Sequence, residues 1–142
     1  MASEIGIDEA RRPPLDPPGR VIALVCRGCC CGTSKHADVD HDGHLDLLRS
    51  TGVPLLVTPC LGPCRWSNVV VSVEPITADQ TWFGKVLTDE DIREVASWLA
   101  APDPSCRPEH LVRHPPRPDR QRAAQIASSL TAPLRRRIIP LR

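Results

Sequence analysis

The stretch VPLLVTPCLGPCRWSNVVVSVEP, residues 53–75, places a pair of cysteines between two apolar runs. The first run, 53–60, is rich in Val and Leu and ends on Cys60, and the second, 68–75, is dominated by Val. Short apolar runs rich in β-branched residues and bounded by Pro or Gly predict buried strands. Cys60 and Cys64, spaced C-x3-C, therefore lie in a loop between two predicted strands.

The chain upstream has the same arrangement. RVIALVC, residues 20–26, is another short apolar run and predicts a strand that ends on Cys26. The loop CRGCCCG follows, in which Cys26 and Cys31 form a C-x4-C pair. If the two strands that end on a cysteine are neighbours, both loops present a pair of thiols at one edge of the sheet.

Further elements complete a mixed fold. A short helix is predicted near Asp42, and TWFGKVL, residues 81–87, predicts a fourth strand. Thr88 is a good N-cap for a last helix, whose apolar face has the spacing i, i+3, i+4, i+7 at Ile92, Val95, Ala96 and Leu99. This order predicts an α/β (α+β) sandwich of about four strands and two helices.

Proline and charge mark three regions. Twelve of the sixteen prolines lie in 1–19 and 101–142, which predicts a disordered Pro-rich arm, a folded domain over 20–100, and a largely disordered Pro/Arg-rich tail. The tail carries nine Arg against three acids, whereas the folded region has seven basic and ten acidic residues. The overall charge of +1 thus hides an acidic domain and a basic tail.

Cysteine usage indicates the compartment. No secretory signal and no apolar run long enough to span a bilayer are visible, so a cytoplasmic location is predicted. In a reducing cytosol, seven cysteines, an odd number, indicate metal or redox chemistry more than disulfides. A [2Fe–2S] cluster needs four thiolates, two per iron, in one patch, and the two cysteine pairs meet this need.

The motifs also resemble a known family. C-x4-C after a first strand, TPCLGPCRWSNVVVSVEP and WFGKVLTDEDIREVASWL are similar to the thioredoxin-like [2Fe–2S] ferredoxins, which are related to the cluster-bearing small subunit of NADH dehydrogenase. The resemblance covers about Val21 to Leu99. It implies a thioredoxin-like fold, a homodimer, and a [2Fe–2S] cluster with the ligands Cys26, Cys31, Cys60 and Cys64. The x4 spacing matches the NADH dehydrogenase branch, whereas many stand-alone members separate the first pair by about a dozen residues.

Two other interpretations remain open. Cys26 and Cys29 form a C-x2-C motif that suits a zinc-stabilised interaction module, although the spacing of Cys60 and Cys64 does not provide the matching knuckle. The same CRGC motif could act as a thiol–disulfide oxidoreductase. Cys29 and Cys30 are extra thiols in the loop, either spare thiols beside the cluster or, for one of them, the second ligand in place of Cys31. The isolated Cys106 is predicted to be incidental.

The sequence contains no recognisable catalytic triad, phosphate loop or paired carboxylates, so it does not indicate an enzyme. It predicts a ferredoxin-like one-electron carrier that docks with a redox partner protein. Nucleic-acid binding is not expected, because the basic tail lacks aromatic side chains on which bases could stack.

Overall fold

The computed structural model describes residues 21–28 and 30–138, with side chains up to Ser129; the predicted arm 1–19 and Cys29 lie outside the described residues. The α+β class is confirmed, with one strand and one helix more than predicted. The strands are β1 (Ile22–Cys26), β2 (Leu55–Thr58), β3 (Val70–Val73), β4 (Gln80–Phe83) and β5 (Val112–Arg113), and the helices are α1 (His41–Arg49), α2 (Asp89–Ala100) and α3 (Arg117–Ile138).

One mixed sheet of five strands, in the order β2-β1-β3-β4-β5, forms the middle of the molecule. The strands β1 and β2 are parallel, with Cys26 opposite Thr58, and every other neighbouring pair is antiparallel. A parallel pair needs a crossover, which α1 provides. All five residues of β1 are buried, which explains why this strand reads as an unbroken apolar run.

Helices α1 and α2 cover one face of the sheet. The Oγ1 atom of Thr88 accepts a hydrogen bond from the Asp91 N–H at 3.0 Å, so the predicted N-cap of α2 is confirmed. The Phe83 and Trp98 rings meet edge to face, with centroids 5.5 Å apart. The predicted apolar face of α2 is buried against the sheet at Ile92, Val95, Ala96 and Leu99.

Helix α3 covers the opposite face of the sheet, in the part of the chain predicted to be a largely disordered tail, 101–142. Ala123 is fully buried and Ala127 is 5% exposed in an apolar cluster that includes Trp82. Small alanine side chains allow the helix to approach the sheet closely, although they carry little apolar signal in the sequence. Pro118 lies in the first turn of α3, where proline is tolerated because the first N–H groups have no intrahelical partner.

Candidate metal centre

The two cysteine loops lie at the same edge of the sheet. Because β1 and β2 are parallel neighbours, the segments that follow them leave side by side. The Arg27 N–H, just after β1, donates to the Thr58 carbonyl at 2.8 Å. The loops then touch: a Cβ atom added to Gly28 would lie 3.0 Å from the Cys60 nitrogen. Glycine at position 28 thus lets the backbone of the first loop pack directly against the second.

Cys26 and Cys31 form the first pair. They are 2% and 3% exposed, and their thiols lie close enough for each to shift the pKa of the other. The Cys31 N–H donates to the Gly28 carbonyl at 2.9 Å, so a tight turn brings the two cysteines together. The positive φ of Gly32, +71°, continues this turn in a conformation that favours glycine.

Cys60 and Cys64 form the second pair, with their Sγ atoms 3.6 Å apart. Both are half-buried, in the loop that leads into the single helical turn Cys64–Trp66. Two ligands of one tetrahedral ion with metal–sulfur bonds of about 2.3 Å lie about 3.8 Å apart. The spacing of the second pair therefore suits two thiolates on one metal ion.

The four sulfurs form two pairs rather than one tetrad. Among the described residues, no three of the cysteine sulfurs lie within 4.8 Å of one another, whereas ligand atoms of Asp91, Glu94 and His110 do so at the surface. A single tetrahedral zinc ion would hold all four sulfurs about 3.8 Å apart. The arrangement thus differs from a zinc tetrad.

The pKa values of the two thiols in the first pair are shifted in opposite directions. The hydrogen bond to Cys31, together with burial, raises the pKa of Cys26 above its ordinary value of 9.0. The same hydrogen bond lowers the pKa of Cys31, although burial opposes it. A negative charge on Cys60 would raise the pKa of Cys31, so the two loops interact electrostatically. One thiol of the first pair thus loses its proton more easily than an ordinary cysteine, and the other retains its proton, which a metal ion would have to displace.

Backbone N–H groups lie near three of the four cysteine sulfurs. Such donors stabilise negative charge on sulfur, and around an iron–sulfur cluster they tune its reduction potential. The Gly62 N–H donates to Sγ of Cys60 at 3.4 Å, and the N–H groups of Leu61 and Val69 favour the thiolate forms of Cys26 and Cys31.

A buried asparagine braces the first cysteine loop. Asn68 is 2% exposed, and its Oδ1 accepts a hydrogen bond from the Gly32 N–H at 2.8 Å. Its Nδ2 donates to the Nδ1 of His41 at 3.1 Å, and the Nε2 of His41 then donates to the Thr33 carbonyl at 3.2 Å. Sequence reasoning missed Asn68, because nothing in the local pattern distinguishes it from a loop asparagine.

Helix α3 contacts the second cysteine loop through Arg122 and Asp119. Nη1 of Arg122 donates to the Leu61 carbonyl at 3.1 Å, and Asp119 contacts Gly62, whose φ is +123°. Arg122 and Asp119 are themselves paired at 3.6 Å. This contact was also missed, because the helix was predicted to be part of a disordered tail.

The remaining cysteines are less closely involved. Cys30 is half-buried in the first loop, where its carbonyl accepts from the Thr33 hydroxyl at 3.2 Å. Cys106 is exposed, in the turn Pro104–Cys106 after α2. The structure brings together the four predicted ligand residues and leaves Cys106 outside this group.

Comparisons of the chain with protein-family models, with curated proteins and with solved structures found no match. Within residues 21–28 and 30–138, none of the helices combines the length and the apolarity that a membrane span requires. The geometry of the two cysteine loops therefore carries the functional argument.

Proposed function

We propose that Cys26, Cys31, Cys60 and Cys64 hold a [2Fe–2S] cluster and that the chain is a one-electron carrier. The pairing of the sulfurs carries this proposal: Cys60 and Cys64 lie 3.6 Å apart, Cys26 and Cys31 shift each other's pKa, and no three of these four described sulfurs lie within 4.8 Å of one another. A cluster of two irons takes two thiolates on each iron. The order of elements, a β1–α1–β2 crossover followed by a β3–β4 hairpin and α2, also supports the thioredoxin-like ferredoxin fold that the sequence resembles.

The residues around the four thiols suit this role. The N–H groups of Gly62, Leu61 and Val69 stabilise negative charge on the sulfurs, which favours the reduced state. Asn68 keeps the first loop in shape, and Arg122 of α3 holds the second loop through the Leu61 carbonyl. When bound, a [2Fe–2S] cluster accepts and returns one electron. A redox partner protein and a cytoplasmic location, both predicted from the sequence, belong to the same proposal.

Burial of the first pair argues against thiol–disulfide exchange. Such exchange requires a thiolate to attack a disulfide sulfur directly. The lowered pKa of Cys31 would suit an attacking thiol, but Cys31 is 3% exposed and Cys26 is 2% exposed. An electron, in contrast, can pass through intervening protein. The dithiol hypothesis for Cys26 and Cys29 involves a residue outside the described part of the chain.

Anaerobic purification of the full chain tests the proposal. We expect a red-brown protein with two irons and two acid-labile sulfides per chain, which dithionite bleaches by one electron and air restores. Metal analysis should find little zinc. A colourless protein with one zinc per chain would support the interaction module. Disulfide reductase activity without iron would support the oxidoreductase.

A further inference from the structure

Four cationic side chains surround the second cysteine loop, although they come from separate parts of the chain. We call them the basic collar: Arg65, Lys85, Arg113 and Arg122. Arg65 directly follows Cys64, and Arg122 reaches the loop through its hydrogen bond to the Leu61 carbonyl. The collar therefore lies at the edge of the sheet that carries the cysteines.

Trp66 connects the collar to the cysteines. The guanidinium of Arg65 lies 4.4 Å from the centre of the Trp66 ring, in cation–π contact. The indole is half-buried and packs against the apolar cluster that contains Cys26 and Cys31. A Cβ atom on Gly84 would lie 2.9 Å from the Cβ of Trp66 and 2.8 Å from the Cγ of Arg113. Glycine at 84 thus allows these side chains to meet.

The backbone of Lys85 has an unusual conformation for a lysine. Its φ is +58°, a left-handed conformation that costs a residue with a Cβ about 1 kcal/mol or more. The Lys85 N–H donates to the Trp66 carbonyl at 2.6 Å, and the side chain is exposed. Glycine would adopt this backbone without strain, whereas lysine at this position places an exposed positive charge beside Trp66.

The collar carries an excess of positive charge. Among the described residues, Asp119 is the one carboxylate within ion-pair distance of a collar side chain, and it pairs with Arg122. Arg113 donates only to the carbonyls of His110 and Val112, and the charge of Lys85 has no carboxylate partner in the described chain. Four cations against one anion give the collar itself a net charge of +3.

We propose that the basic collar is a docking surface for the acidic face of a redox partner protein. The inference rests on the proposed one-electron function and adds to it the surface and the charge of the partner. Positive charge around the thiols would steer an acidic surface toward them and speed association, most strongly at low ionic strength. The positive charge of the basic collar is opposite in sign to the net charge of residues 20–100 as a whole, which is negative.

A double variant, Arg65→Gln with Lys85→Gln, tests the collar. Its control, Arg49→Gln with Arg120→Gln, removes the same charge elsewhere: Arg49 ends α1 away from the cysteine loops, and Arg120 lines a cavity beside Val21 and Gln80 at the opposite edge of the sheet. Neither control residue contacts the cysteine loops. Polyglutamate is the acidic probe, and its binding to the full chain is measured by calorimetry.

We expect polyglutamate to bind the collar variant at least about fivefold more weakly at low ionic strength, and the control variant as it binds the unmodified protein. The difference should disappear in about 0.5 M salt. Lys85→Gly should also weaken binding without lowering thermal stability, since it relieves the strained backbone. Equal binding by all variants, or equal weakening in the control, would overturn the docking surface.

Electron transfer gives an independent measurement. Each reduced chain loses one electron to one ferricyanide, an anion, or to one hexaammineruthenium(III), a cation. In the collar variant we expect the ferricyanide rate to fall by about fivefold and the ruthenium rate to rise. Rates that respond alike to both oxidants would contradict electrostatic docking.

Two further outcomes separate the hypotheses. A colourless protein without iron, in which polyglutamate binding still depends on the collar, would overturn the one-electron function and leave the acidic docking surface standing. Collar-dependent binding of single-stranded DNA that is tighter than that of polyglutamate at the same salt concentration would overturn the acidic protein partner.

Discussion

Replacement of Asn68 by alanine should loosen the first cysteine loop. The side chain of Asn68 accepts from the Gly32 N–H at 2.8 Å and donates to the Nδ1 of His41 at 3.1 Å. Both bonds brace the backbone that follows Cys31: one joins Asn68 to Gly32 directly, and the other reaches the Thr33 carbonyl through His41. Asn68→Ala removes both hydrogen bonds and leaves a donor and an acceptor without these partners.

The magnitude follows from these two bonds. An intramolecular hydrogen bond contributes about 1 kcal/mol net, and an unsatisfied buried group costs about 1–3 kcal/mol. Gly32 and His41 are half-buried, so water reaches them in part and the lower end of this range applies. We therefore expect Asn68→Ala to lower the free energy of unfolding by about 2–3 kcal/mol.

Urea unfolding of the full chain, iron-free and in reductant, measures this loss through tryptophan fluorescence. Ser67→Ala is the matched control, because Ser67 is also 2% exposed but makes one side-chain hydrogen bond, to Nε2 of His36 at 2.9 Å. It should cost about 1 kcal/mol. In iron-loaded protein, Asn68→Ala should also accelerate the loss of iron to a chelator more than the control does.

A double-mutant cycle between Asn68→Ala and His41→Ala checks the cause. The two substitutions should be coupled by about 0.5–1.5 kcal/mol, because they share one hydrogen bond. A loss below about 0.5 kcal/mol in Asn68→Ala, or the absence of coupling to His41, would refute the bracing role.

Three other predictions concern the thiols and α3. Serine at Cys30 or Cys106 should leave iron binding, measured by visible absorption, intact. Serine at any of the four ligands should abolish it, in the variants Cys26→Ser, Cys31→Ser, Cys60→Ser and Cys64→Ser. Normal absorption in any of these four variants would contradict the ligand assignment. A chain that ends at residue 113 should lose iron faster than the full chain and unfold at a lower temperature in calorimetry, because α3 covers one face of the sheet. Equal stability of the two chains would show that α3 does not stabilise the domain. In the iron-free, reduced chain, the lowered pKa of Cys31 should make stability rise with pH up to about 9, because the unfolded state then binds more protons than the folded state. Above that pH, the raised pKa of Cys26 should make stability fall. Cys31→Ser should remove the rise in the urea midpoint, and a midpoint that falls steadily from pH 7 in the unmodified chain would refute this prediction.

The strands and the second helix could be predicted from local sequence. The apolar runs that end on Cys26 and Cys60 form strands β1 and β2, because burial on both faces requires an unbroken apolar run. Thr88 caps α2 as its position predicts, since capping depends on residues within one turn. The location of both cysteine pairs just after strands followed from the same local patterns.

Helix α3 could not be inferred from composition. The prolines of 101–142 suggested a chain without a core, yet Pro118 lies in the first turn of a helix. Its buried face relies on Ala123 and Ala127, whose small side chains matter through the close approach that they allow. Only the sheet, which lies elsewhere in the sequence, gives these alanines a surface to pack on.

The sequence by itself determined the secondary structure of the central region and the two cysteine pairs, because each depends on residues within a few positions of one another. Tertiary structure alone decided that the pairs stay separate, that Asn68 braces the first loop, and that the charges of Lys85, Arg113 and Arg122 gather around the second. These features depend on contacts between segments far apart in the chain. The order of the strands sets those contacts, and no local pattern encodes them.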